Sequence, residues 1–567
     1  MSPSHEQPTL LVECIENIIS FLRSNHVPTL CSLLLVNKTF FKITVPILYQ
    51  SPFVLVRNEK RFDEDGKPDR LILLLRLFFS ELDPSLLAEL PSYSIEDDDD
   101  QDVIEPRKDQ DPLLQQRKSF IAESGGYFYH YRRHDHDFIA ERAIPRLFGT
   151  VTKAQSQAVL AQLDKVFLKH CGSRVQSLCL ASVRATQLRG CIPILTCLRR
   201  LEIHDVINMT TSGVDALVEW IKLHDDIHGT LRELRMGGVA EYGRSSEEGD
   251  MKDLVRLPQA FKTLVALDTS SWSEGWSMID QTPLESLERL IMDYGEGQAP
   301  ESKVDFLLRC RSLRILDLFV PEQDIFQGVV RLFRSLHQPA FYQPGVTSGE
   351  PLKVTPGEQV CIPPIERLYI SGDHLNLRNA LEDAAVGLSK SLRVLKGTSL
   401  ARQDVVKPSL TWGQPFETHM PFLSELQLQG DITLEFHFSL LRCCPNLMSL
   451  KLLVNGLESC GQVDNPIEEI LSLRKLQILQ LHGRWPLSMT FINGIAPNLT
   501  GLKMLDLARC FGVSLHQVMK AIHNMEYLWR LGWDNEDVDD AEEAIEYWRT
   551  HAPMIRIGPI QWEEFLM

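Results

Sequence analysis

Leu447–Leu452 reads LMSLKL, Leu476–Leu481 reads LQILQL and Leu502–Leu507 reads LKMLDL, so one frame, L-x-x-L-x-L, returns after 29 and then 26 residues. Successive side chains of an extended chain point to opposite faces, so the last two leucines of the frame share one face and the residue between them takes the other. Each copy therefore predicts one short strand. Toward the N-terminus, with Ile, Val or Met allowed at the apolar positions, the frame recurs as LSELQL from Leu423, IERLYI from Ile365, LRILDL from Leu313 and LERLIM from Leu287. It continues as LRELRM from Leu231, LRRLEI from Leu198 and VQSLCL from Val175, with weaker copies at Leu264 (LVALDT), Leu392 (LRVLKG) and Met525 (MEYLWR).

Most of these intervals lie in or near the period of roughly 20–29 residues that marks leucine-rich repeats. No single unit can bury its own leucines, whereas stacked units share one continuous core. The residues after each strand return the chain on the outer side, often as an amphipathic helix such as GVDALVEWIKL, Gly213–Leu223. The 52 residues from Leu313 to Ile365 predict a degenerate repeat plus a loop, because Gln338–Pro364 is rich in Pro and Gly. Residues 174–533 thus read as a repeat array of about thirteen strands, and 534–567, acidic and then apolar, as the cap that shields its last leucines.

Composition narrows the function classes. A formal charge of −18 excludes a chain that coats phosphate, which needs a surplus of Lys and Arg on one surface. The longest apolar run, Leu71–Phe79, is about half a membrane span and contains Arg76, so no membrane segment is expected. The opening MSPSHEQPTL has neither a basic nor an apolar signal region, and the twelve scattered cysteines read as free thiols in the core of a cytoplasmic and/or nuclear protein. Residues 53–173 form an irregular transition whose acidic stretch 94–111 reads as a solvated loop.

The string YHYRRHDHD, Tyr129–Asp137, places imidazoles and carboxylates close together, as zinc or iron sites do. Phe138 and Ile139 stand where further ligands are needed, so the string reads as a polar loop or strand edge and no metal or cofactor is expected. There is no phosphate-cradling G-x-x-x-x-G-K-[ST] and no G-x-S-x-G nucleophile elbow. Nothing points to catalysis.

At the N-terminus Leu11, Ile15, Ile18, Ile19 and Leu22 lie on one helical face, a second short helix is predicted over Thr29–Val36, and Phe40, Ile43 and Ile47 predict a third. LLVECIENIISFL followed by LCSLLLVNKTFFKITVPILYQSPF resembles an F-box, with Leu10, Glu13, Ile15 and Ile18 matching its opening and Leu30, Val36, Lys38, Phe40, Pro46, Leu48 and Tyr49 the remainder. Leu11 replaces the usual proline, Cys14 the usual isoleucine, and VPILYQSPF is similar to fungal members in particular. Cysteines at the ends of the return segments, in LLRCRSLRILDL and LLRCCPNLMSLKL, and Cys510 after LKMLDL, look like the cysteine-containing repeat subtype often found behind an F-box. The expected architecture is α/β: a three-helix F-box-like module over 1–52, then a curved solenoid with an inner parallel sheet.

The resemblance implies a non-catalytic substrate-recognition subunit of a Skp/cullin/F-box ubiquitin ligase. Its F-box would dock a Skp-type adaptor, and through it cullin and RING subunits, by Leu10, Ile15, Ile18, Leu30, Leu33 and Val36. Repeat physics points the x residues of each strand into solvent on the concave face, where a protein substrate would bind. The candidates are Arg200, Glu202 and His204; Glu233 and Arg235; Arg289 and Asp293; Arg367 and Tyr369; Glu425, Gln427 and Gln429; and Gln480 and His482. Mixed charge and a few aromatics suit a polypeptide better than a polyanion. The alternative is a leucine-rich-repeat scaffold or inhibitor with no ubiquitin-ligase role, its first helices serving only as an N-terminal cap.

Overall fold

The computed structural model of the 567-residue chain describes His130 and Tyr131 and, between residues 151 and 557, the repeat strands with the turns that precede them. Residues 1–129, 132–150 and 558–567, most of 153–171 and 373–386, and 182–188, 205–210, 237–255, 270–284, 294–306, 308–309, 321–362, 400–419, 431–437, 454–466, 484, 534–540 and 553 lie outside the described residues. So do the F-box-like module with its six docking candidates, the acidic stretch 94–111, and all of the histidine-rich string but its second and third residues. The chain divides into two compact units, residues 1–264 and 265–567.

In the first unit four parallel strands follow chain order: β1 (His130–Tyr131), β2 (Ser177–Ala181), β3 (Arg200–His204) and β4 (Glu233–Met236). The return segment between β3 and β4 is a 17-residue helix, α1 (Thr211–Ile227), which buries Val214, Leu217, Val218 and Ile221. That i, i+3, i+4, i+7 spacing is one apolar stripe, and it explains why this return is a full helix. Farther along α1, the His224 and His228 Nε2–H groups donate to the carbonyls of Leu195 and Ile192, each at 2.9 Å, tying the helix to the 3-10 turn Arg189–Ile194.

The second unit is a parallel ladder in sequence order, with β5 (Ala266–Thr269), β6 (Arg289–Asp293), β7 (Ile315–Val320), β8 (Arg367–Gly372), β9 (Val394–Ser399) and β10 (Glu425–Gln429) in its first half. The second half holds β11 (Ser449–Leu453), β12 (Ile478–His482), β13 (Met504–Asp506), β14 (Arg530–Gly532) and β15 (Arg556–Ile557). All three frame leucines are fully buried in Leu313/Leu316/Leu318, Leu447/Leu450/Leu452 and Leu476/Leu479/Leu481. At about 2 kcal/mol per buried leucine these side chains dominate the stability of each unit.

The entries of β3, β4 and β6 to β13 are clamped in one recurring way. The carbonyl of the second frame residue accepts the two successive N–H groups that open the next strand: Glu288 from Arg314 and Ile315 at 2.8 and 3.0 Å, Arg314 from Glu366 and Arg367 at 2.8 and 2.9 Å, and Gln477 from Lys503 and Met504 at 2.7 and 3.1 Å. The thiols reinforce the stacking, since Cys510 donates to the Leu481 carbonyl at 3.1 Å, while Cys310 and Cys444 are buried and Cys197 is exposed. That exposure corrects the expectation that every cysteine sits in the core.

The weak copy LRVLKG has its own cause. Gly397 stands where the last leucine belongs, and a Cβ there would lie 2.7 Å from Leu381 Cδ1 and 3.2 Å from Leu428 Cδ2, so neighbouring leucines already fill the space. Return segments in this unit vary between 3-10 turns, Phe438–Cys443 and Ile467–Ser472, and helices α2 (Met489–Asn498), α3 (Leu515–Ile522) and α4 (Ala541–His551). Sequence SLHQ fixes the start of α3 by a reciprocal cap: the Ser514 hydroxyl accepts the Gln517 N–H at 3.3 Å, and Gln517 Oε1 accepts the Ser514 N–H at 2.9 Å.

Two expectations are corrected here. No repeat strand is inserted in the ladder between β7 and β8, which pair directly, Ile315 opposite Arg367 through Val320 opposite Gly372. The last frame also begins at Leu528, as LWRLGW, and not at Met525, since Leu531 pairs with Leu505. Met525 and Leu528 are both buried and three apart, so spacing alone could not choose between them. Past that frame β15 continues the ladder within 534–567.

Candidate binding face

On the strand face away from the leucines, the register lines up the third and the fifth frame residue of every repeat. In the second unit the fifth-position row runs Asp268, Ile291, Asp317, Tyr369, Lys396, Gln427, Lys451, Gln480 and Asp506. Neighbouring members are one strand spacing apart, about 4.8 Å, so side chains of ordinary length touch across it.

The middle of the row is a bonded network. Lys396 Nζ lies 5.2 Å from the centre of the Tyr369 ring, and Glu425 bridges Lys396 at 3.4 Å and Lys451 at 3.2 Å. Gln480 Nε2 donates to Asp506 Oδ2 at 3.4 Å, and Asp506 Oδ1 accepts the Ala508 N–H at 3.1 Å. Gln427 Oε1 and Ser449 Oγ, on adjacent strands, are buried with no hydrogen-bond partner. At the other end, burial and then the neighbouring Asp268 carboxylate push the Asp317 carboxyl up to about 6, against the pull of Arg289.

The predicted solvent-projecting residues divide. Arg289 and Arg367 are exposed, and Arg200, Glu233, Arg235, Tyr369, Glu425, Gln427 and Gln429 are half-buried. Glu202, Gln480 and His482 are buried instead, which corrects their assignment. The Arg235 guanidinium covers Glu202 at 3.4 Å, Gln480 is held between Lys451 and Asp506, and His482 lies beside Leu453 on the next strand. His204 and Asp293 are placed in β3 and β6 by their backbone, and their side chains are outside the described residues. Asp268, Asp317, Lys396, Lys451 and Asp506 were missed, although the fifth position of each frame would have found them.

No group of three or more His, Cys, Asp or Glu side chains among the described residues could hold a metal ion. Among them, too, no helix is long and apolar enough to cross a membrane. The arrangement offers hydrogen bonds, ion pairs and a ring face to another molecule.

No family model matches the sequence, and no curated protein does. Among solved structures the chain is similar to one titled as the complex of Rad7 and Elc1 in yeast, at 14% identity over 80% of this chain and 96% of that one, with a TM-score of 0.33. It is also similar to a TLR13–ssRNA13 complex, at 12% identity over 69% of this chain and 62% of that one, with a TM-score of 0.25. The repeat fold stands on the register and burial above, not on these likenesses.

Proposed function

We propose that the chain is a non-catalytic substrate receptor of a Skp/cullin/F-box ubiquitin ligase, working in the cytoplasm and/or nucleus. It joins a Skp-type adaptor through the F-box-like residues 1–52 and holds a protein substrate on the outward face of its repeats. The observation that carries the reading is the side-by-side register of the strand residues behind an F-box-like sequence, which turns many short repeats into one long mixed-charge surface. Such a subunit raises the local concentration of substrate beside the charged enzyme and needs no reactive group of its own.

Co-purification of the full chain with a Skp-type adaptor tests it. Binding is expected, with loss on deleting residues 1–52 and on Leu33→Asp or Val36→Asp in a chain that keeps its thermal transition. An intact chain that binds no adaptor overturns the proposal in favour of a repeat scaffold or inhibitor. If instead Leu33→Asp destabilises the protein, the N-terminal helices serve as a cap.

A further inference from the structure

The clamped strand entries of the second unit carry an unusual set of exposed side chains. Through β8 and β9 this edge is self-satisfied, since Glu366 lies 3.6 Å from Arg314 and 3.7 Å from Arg393. From β10 onward it changes character. Phe422, Met448, Tyr527, Trp529 and Met554 are 50, 40, 57, 47 and 85% exposed, and all five lie in the turn before a strand or at the second frame position. Of the large apolar side chains exposed among the described residues of this unit, just Met489 and Phe511 lie elsewhere, so the concentration at one edge is a property of the edge.

The backbone ladder makes these residues neighbours. Met448 passes its carbonyl to Gln477, Gln477 to Lys503, Lys503 to Trp529 and Trp529 to Arg556. Met448 and Trp529 are thus three strand spacings apart, about 14 Å, which an extended peptide covers in about four residues. Between and beside these apolar ends stand Arg474, Lys475, Lys503 and Arg556, all exposed, against one carboxylate among the described residues of the edge, Glu526.

We propose that this edge is a second docking surface, distinct from the outward strand face, for an extended acidic peptide segment. Its two apolar or aromatic side chains, about four residues apart, would cover the Phe422–Met448 and Tyr527–Trp529 ends, and the carboxylate midway between them, on the same face, would meet Lys475 and Lys503. Three features choose this occupant. A second copy of a chain with formal charge −18 is repelled as a whole, whereas a short acidic segment meets only the local surplus of cations. Single-stranded nucleic acid stacks successive bases on successive rings, and here, among the described residues, rings occur only at the two ends. A side chain four residues on in an extended peptide returns to the same face, as the two anchors require.

The probe is a fluorescein-labelled twelve-residue peptide with two phenylalanines four residues apart, three carboxylates between them and a Gly/Ser background, titrated by anisotropy against the full chain. Its companions are a twin with lysines for the carboxylates, a twin with alanines for the phenylalanines, and a ten-nucleotide uridine oligomer. The acidic aromatic peptide binds. Binding weakens at least about tenfold in the Lys503→Glu/Trp529→Ala double variant and with either twin, and it falls with added salt. Both substituted side chains are exposed, so the double variant keeps the wild-type thermal transition. Arg367→Glu, on the outward strand face, leaves binding unchanged. Absent binding by wild type, equal binding by the double variant or the lysine twin, loss of binding with Arg367→Glu, or tighter binding of the oligonucleotide overturns the proposal.

Discussion

Helix α1 of the first unit and strand β7 of the second each withdraw an ionisable group from water, and they do so on opposite sides of the same kind of ladder. His224 lies behind the strands, fully buried and stacked on Trp220 at 5.6 Å, its Nδ1 without a hydrogen-bond partner. Burial holds its pKa below the usual histidine value, opposed by the hydrogen bond to Leu195. Asp317 lies on the outward face, and burial raises it. In both places desolvation disfavours the charged form, yet one group is a base and the other an acid, so the two groups answer pH in opposite directions.

The signs follow from linkage. His224 is easier to protonate in the unfolded chain, so its contribution is complete above about 6.5 and is lost as pH falls below it. Asp317 holds its proton more tightly when folded, so its contribution is complete below 3.8 and is lost as pH rises through about 6. The strongest way to break the contrast is His224→Ala, which removes a fully buried ring and should cost about 3 kcal/mol, read as faster amide hydrogen exchange in α1 with β7 unchanged. Next is Asp317→Asn, which at pH 7 should stabilise the second unit by about 1–2 kcal/mol after allowing for partial exposure, and at pH 3 should change nothing, checked by denaturant titration at both pH values.

His224→Phe sharpens the comparison. It keeps a ring against Trp220 but leaves the Leu195 carbonyl without its donor, so it should cost about 1 kcal/mol at pH 7. It should also remove the contribution that His224 makes to acid-side loss, which amide exchange in α1 at pH 5.5 against pH 7.5 would register. The smallest effect belongs to Glu366→Gln, since its pairs with Arg314 and Arg393 are largely solvated: a loss below about 1 kcal/mol by denaturant titration, and smaller still in high salt.

The strand frames were legible because each of Leu313, Leu316 and Leu318 is required at its own position, so the pattern survives in every good copy. Copies failed to read where a neighbouring repeat decides. Gly397 replaces a leucine because Leu381 fills its space, and the frame at Leu528 is selected by its pairing partner Leu505 and not by its own spacing. Burial of Glu202 depends on an arginine 33 residues away, which no local window includes. The exposed edge was invisible for a different reason: its residues precede the strands, where no periodicity constrains Phe422, Tyr527 or Trp529.

The direct pairing of β7 with β8 separates distance along the chain from distance along the ladder. Residues 321–366 lie between two strands that are immediate neighbours, so the length of a connection is free to grow while the row on either side keeps its step. Because the entropy of closing a loop rises only with the logarithm of its length, a foreign domain spliced into this connection should leave the register of Asp317 beside Tyr369 intact. Evolution, or a protein engineer, could use that connection as a port for new cargo without rewriting the surface it interrupts.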